Sequence, residues 1–341
     1  MVTQLKNLAK KSRALVIANN IYDNWRTRRR FQRGSIESDY GSTHGNLRFS
    51  VDESVGYVER TFQDYLTYSG LPSAAFGGRR ILELGVGDNY GVALLFLAHG
   101  ARHVFCIDKF YSERDSAHER NIYLALREKL GGEERARFDD AVRLDAGIEL
   151  NPERLKSVYG TGAEDADRIP DIGTFDFIIS RGVLQSVHET DAAFAAMDRL
   201  LAPGGVMMHK MDLRDLGTFI NYGMHPLTHL TVPAPLYRMM VADTAKSNRR
   251  LSDYYRRKVS EYGYDAKLFV TILAGQEREL EPHKERLEPG VDYTEETLEL
   301  VRRIRPKLSA EFRDLTDEDL MVSGIFMVAR KPPGAGGGAA A

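Results

Sequence analysis

The chain has 341 residues, 43% of them hydrophobic, and its 47 Lys and Arg against 49 Asp and Glu leave a formal net charge of −2. That length can bury a substantial core and exceeds one minimal domain, while the near-neutral balance excludes a general polyanion-binding role. A single cysteine excludes an intramolecular disulfide framework, and with no secretory h-region and no apolar run near the roughly 20 residues of a membrane span, a cytoplasmic soluble enzyme is the expectation.

In chain order, residues 1–75 read as an N-terminal helical cap. Within the first 33, Lys6, Lys10, Lys11, Arg13, Arg26, Arg28, Arg29, Arg30 and Arg33 face only Asp23, with Leu5, Leu8, Leu15, Ile17, Ile21, Tyr22 and Trp25 as apolar anchors. Such a segment suits a helix docked on the core or a basic amphipathic helix; the latter makes peripheral membrane contact one reading. Residues 41–46 read as a loop, and 51–68 as a helix with Val55, Val58, Phe62 and Tyr65 inward.

Next comes a buried strand, Ile81–Leu84, running into Gly85 and Gly87, whose missing β-carbons permit a tight turn and close ligand approach. A dinucleotide site requires GxGxxG, and Tyr90 stands at the third position. Glu83, two residues before the first glycine, instead suits a ligand bearing an ammonium group.

The motif Glu83-Leu84-Gly85-Val86-Gly87-Asp88-Asn89 resembles that of the class I S-adenosylmethionine-dependent methyltransferases, with Asn89 in place of the usual third glycine. Asparagine tolerates positive φ, which would make this a mild departure. The resemblance spans residues 76–331. It implies a doubly wound α/β fold, a seven-stranded and mostly parallel sheet with an antiparallel last strand, together with the N-terminal cap and a cap insertion after strand 5.

After a helix over 90–98, a second strand, His103–Ile107, closes on Asp108, which lies 108 − 83 = 25 residues beyond Glu83. That is near the roughly 20-residue spacing of a ribose-binding acid. A third strand is read at 142–146, where the family's pattern has an acid, here Asp145, meeting the adenine amino group. The fourth is Phe175–Ser180, followed by 181–188, which in the family borders the methionyl group and the acceptor. A helix over 191–201 stops at Pro203-Gly204-Gly205 and turns into the strand Val206–His209. The resemblance thus implies cofactor contacts at Glu83, Gly85, Gly87, Asp88, Asn89, Asp108, Lys109, Asp145, Ala146, Ser180 and Arg181.

His209, read as ending the fifth strand, is the expected general base, with Asp212 placed to orient it. Residues 213–249 exceed a crossover and read as a substrate-cap insertion. Expected acceptor contacts are His44, His188, Asp215, Tyr222, His225 and His229. His209, Asp212 and Asp215 invite a metal, but three ligands in a loop are weak grounds and none is expected. A helix over 250–262, a strand over 267–272, an acidic helical region over 277–319, a last strand over 324–329 and a low-complexity disordered tail over 332–341 complete the chain.

The expected activity is S-adenosylmethionine-dependent O-methylation of a small-molecule acceptor such as a sugar or specialised metabolite. An RNA or protein methyltransferase is the enzymatic alternative; nucleic acid is not the expected partner, since no aspartate-proline-proline-tyrosine type of motif follows the fourth strand. A non-catalytic cofactor-binding scaffold is the third reading.

Overall fold

The structure is a computed structural model, and residues 12–37 and 49–334 are described. The central sheet contains β1 (Arg80–Leu84), β2 (His103–Asp108), β3 (Leu155–Tyr159), β4 (Phe175–Arg181), β5 (Leu201–Asp212), β6 (Asp265–Leu273) and β7 (Val322–Arg330) in the order β3-β2-β1-β4-β5-β7-β6. Six strands run parallel, and β7 is antiparallel to both neighbours, wedged between β5 and β6. Strand order reverses at β1, where the chain crosses from the β2 side to the β4 side. Sheets of this type bind ligands at the carboxyl ends of the strands beside that reversal.

Helices cover both faces, as buried parallel strands require. On one side lie α2 (Val51–Ser69), α3 (Gly91–Ala98), α4 (Ser116–Lys129) and α5 (Gly132–Ala141). On the other lie α6 (Thr190–Leu200), α8 (Ser252–Glu261), α9 (Glu295–Ile304) and α10 (Asp317–Met321). Alternation along β1 feeds both cores, with Ile81 in the first and Leu82 and Leu84 in the second. All eight residues of α3 are buried, which explains its uninterrupted apolar run. A capping box starts α2: Ser50 Oγ accepts from the Glu53 amide and the Glu53 carboxylate accepts from the Ser50 amide. Its inward face includes Val55, Val58, Phe62 and Tyr65, as its periodicity predicts.

The N-terminal helix, α1 (Arg13–Gln32), differs from its sequence reading. Leu15, Tyr22 and Trp25 are exposed, and Val16, Asn20, Asn24 and Thr27 are buried instead. Amide side chains fasten it: Asn24 donates to Asp243 and accepts from the Asp243 amide, while Asn20 donates to the Thr218 carbonyl. Its partners are the 213–249 segment and α7 (Ala234–Val241), with a small core of Val16, Phe219, Val232, Tyr237, Met240 and Val241.

Two further readings are corrected. Residues 142–146 form no sheet strand: Val142–Arg143 pairs only with Glu149–Leu150 in a two-residue antiparallel ladder, and the third sheet strand is Leu155–Tyr159. The acidic region is helical chiefly in α9 and the start of α10, with irregular backbone over 276–294, and it is not all surface, since Val301, Ile304, Leu308 and Phe312 enter the core.

Candidate functional site

At the carboxyl end of β1 the chain turns through Gly85 and Gly87, both at φ 70°. The Gly85 amide donates to the Ile107 carbonyl at 2.7 Å and the Gly87 amide to Asp108 Oδ2 at 3.3 Å. The turn thus holds the ends of β1 and β2 together. A β-carbon on Gly85 would lie 2.2 Å from Val183 Cγ2, whereas one on Gly87 would meet open space. Gly85→Ala is therefore expected to cost about 2–4 kcal/mol, combining left-handed backbone strain with overpacking. Urea unfolding checks it, and Val183→Ala should recover part of the loss.

Asn89 keeps the turn without the positive φ that its position suggested. Its side chain accepts from the Gly91 amide at 2.8 Å and donates to Asp88 at 3.1 Å, which satisfies a free amide at the start of α3. Asp108 accepts from the amides of Gly87 and Phe110, and burial raises its carboxyl above the usual range. Lys109 pairs with Glu164 at 2.8 Å.

Glu83 is 8% exposed and shares a sheet face with Cys106, whose thiol donates to it at 3.7 Å. A thiol is a weak donor, and burial pushes this carboxyl up to about 8. Arg114, unmarked in the sequence reading, supplies nearby positive charge. Its guanidinium donates to the Gly87 carbonyl, Glu119 and the Tyr159 hydroxyl, and lies 4.0 Å from the Tyr90 ring. No local motif surrounds Arg114, so only the packing of the β2–α4 loop reveals it.

Asp145 and Ala146 are not at this edge. Both are exposed in the loop of the two-residue ladder, where Arg120 holds the Leu144 carbonyl. The loop that follows the true third strand is Gly160-Thr161-Gly162, leading to Ala163 and Glu164. The misreading arose because β3 carries Lys156 and Ser157 and lacks a continuous apolar run.

Ser180 pairs with Leu84 in register, beside the glycine turn. The expected base beside it is a buried core residue. His209 lies inside β5, which continues to Asp212; it is fully buried, with Nδ1 2.7 Å from Ser180 Oγ, and desolvation lowers its pKa to about 3. Asp212 cannot orient it. Three residues along a strand reverse the face, and Asp212 is held by Arg214. Between them Lys210 points toward α2 and binds Asp64 and Glu279, and Arg181 also binds Asp64.

The acceptor residues are dispersed. Asp215 is buried and accepts the amides of Thr218, Phe219 and Ile220, so it shapes the following turn. Tyr222 packs beside the small α1–α7 core, His225 bonds the Leu300 carbonyl, and His229 is fully buried with its pKa lowered by desolvation to about 4. His188, in the loop after β4, bonds the Thr244 carbonyl at 3.3 Å. His44 lies outside the described residues. The loop after β4 also contains buried Gln185, whose Oε1 has no hydrogen-bond partner among the described residues and whose only sequence signal is a polar residue within an apolar run.

A family model described as a methyltransferase domain matches residues 56–266, more than half of the chain. The chain belongs to the methyltransferase domain family. Among curated proteins none matches the sequence. Among solved structures, a phosphoethanolamine N-methyltransferase of Haemonchus contortus in complex with S-adenosyl-L-methionine matches 75% of this chain at 16% identity and a TM-score of 0.37. That match covers 49% of the Haemonchus contortus chain, so this chain spans about half the length of that protein. An S-adenosylmethionine-dependent methyltransferase from Mesorhizobium loti matches 77% of this chain and 95% of its own, at 16% identity and a TM-score of 0.37. An O-methyltransferase family protein from Burkholderia thailandensis matches 94% and 72%, at 11% identity and a TM-score of 0.40.

Proposed function

We propose that this methyltransferase binds S-adenosylmethionine at the carboxyl ends of β1 and β2 and methylates a small-molecule acceptor at a hydroxyl. One observation carries the reading: the glycine turn lies between two acids that share a sheet face, Glu83 and Asp108, with open space at Gly87. Glu83 is a buried carboxyl served by a weak thiol donor, an environment that a cationic ligand group would satisfy.

When bound, this cofactor supplies an electrophilic methyl on a sulfonium. Glu83, once ionised, holds the ligand's ammonium, and Asp108 accepts its ribose hydroxyls. Gly85 and Gly87 let the backbone approach, with Asp88, Asn89 and Lys109 bordering the turn. The adenine role moves from Asp145 and Ala146 to the loop 160–164. Ser180, Arg181 and Gln185 border the reacting end, where acceptor placement matters more than a dedicated base. The 213–249 segment follows β5 at the same end of the sheet and serves as acceptor cover.

Calorimetric titration with S-adenosylhomocysteine tests the reading, since absence of binding by folded protein removes it. Asp108→Ala is expected to weaken that binding on the order of a hundredfold, the loss of two hydrogen bonds to a charged group. Unchanged affinity would remove the ribose assignment. Radiolabelled cofactor with fractionated cell extract then separates small-molecule from RNA or protein acceptors.

A further inference from the structure

We propose that the outward face of α1 docks on an anionic lipid bilayer. At about 3.6 residues per turn, Leu15, Ala18, Tyr22, Trp25 and Arg29 form one stripe, opposite the buried Val16, Asn20, Asn24 and Thr27. Leu15, Tyr22 and Trp25 are 53%, 57% and 50% exposed, unusual values for three large apolar side chains on one helix face. The Tyr22 and Trp25 rings lie 5.9 Å apart, and the Arg29 guanidinium sits 5.1 Å from the Trp25 ring.

Arg26 and Arg33 are exposed and flank the stripe on one side. Other cations of the helix are engaged elsewhere: Arg28 pairs with Asp243 and Arg30 with Glu37. The helix's acid, Asp23, lies off the stripe and accepts from Asn19. This is the pattern of a helix lying in a bilayer interface, with aromatic and aliphatic side chains at headgroup depth and arginines on anionic lipid.

A single-stranded nucleic acid could use the two rings, but bases gain nothing from Leu15 and Ala18. The lipid surface uses every member of the stripe. Because α1 is fastened to the 213–249 segment through Asn24 and Asp243, docking places that end of the protein against the membrane. This inference stands apart from the methyl-donor reading.

Trp25 is the chain's single tryptophan, so its emission reports directly on the face. The full chain is mixed with phosphatidylcholine vesicles with and without phosphatidylglycerol. The expected result is co-sedimentation and a blue shift with the anionic vesicles, weakening as salt rises. The combined Arg26→Gln, Arg29→Gln and Arg33→Gln variant should lower partitioning on the order of a hundredfold. Leu15→Ser with Tyr22→Ser should remove sedimentation while leaving the circular dichroism and urea midpoint unchanged. No blue shift with anionic vesicles, equal binding to neutral ones, variants that bind as the parent does, or capture of single-stranded RNA in preference to vesicles would each overturn the proposal. None of these readouts requires cofactor binding, so failure here is separable from failure of the donor assignment.

Discussion

Lowering the pH from 6.5 to 4.5 is expected to remove about 5 kcal/mol of folding stability, a large part of what a protein of this kind possesses. Three desolvated histidines drive the loss. Desolvation lowers His209 to about 3 and His188 and His229 to about 4, against about 6.5 in the unfolded chain. A group whose folded pKa is depressed in this way stays neutral in the folded state while the unfolded chain takes up its proton. Stability is therefore full above pH 6.5 and falls as the pH drops. Glu83 acts in the opposite direction, since it is raised to about 8 and holds its proton in the folded state through the same window. Among these four groups the net excess is two protons on the unfolded chain, or about 3 kcal/mol per pH unit. Urea midpoints at pH 7, 6 and 5 measure it, and a constant midpoint contradicts it. His209→Gln, which keeps a partner for Ser180, should halve the slope.

Glu83→Gln is expected to move stability and cofactor affinity in opposite directions. At pH 7 the buried carboxyl costs the free protein about 3 kcal/mol, the work of holding an acid protonated between its unfolded value and about 8. The amide removes that cost, so the variant should be more resistant to urea at pH 7 and equal to the parent near pH 4. Its affinity for S-adenosylhomocysteine should fall on the order of ten- to a hundredfold, because an ionised carboxylate no longer meets the ammonium. In the parent, binding must draw the proton off Glu83. Affinity should rise roughly tenfold per unit toward pH 8, then decline as the ligand's amine, near the ordinary α-amino range, loses its charge. A variant that keeps both the affinity and the rise below pH 8 would show that another group holds the ammonium.

The two acids show how far the sequence reaches. Glu83 was legible because it stands two residues before the first glycine, and Asp108 because it closes the apolar run of β2; strand alternation places both on one face. The glycine turn was legible because both positions take left-handed backbone that favours glycine, and at Gly85 a β-carbon would also meet Val183. Where the run is broken, reading fails. Lys156 and Ser157 disguised β3, and the neighbouring ladder drew the adenine role to Asp145. Asn89 occupies the glycine position without left-handed backbone, a substitution by side-chain hydrogen bond that no spacing announces.

The alternation of strands and helices and the acid–glycine–acid edge follow from local periodicity and from residues that forbid alternatives, whereas the antiparallel close of the sheet was implied by the family resemblance alone. Which polar groups face the site is set by packing and pleating that no local pattern records. His209 and Asp212 stand three apart in a strand that proved longer than its apolar core, so pleating sends them to opposite faces, one into the interior beside Ser180 and the other to Arg214. Arg114 acquires its significance from Gly87 and Tyr159, neighbours distant in sequence. Likewise α1 buries asparagines and exposes its aromatics, because hydrogen bonds to the 213–249 segment, invisible to helical periodicity, fix its rotation.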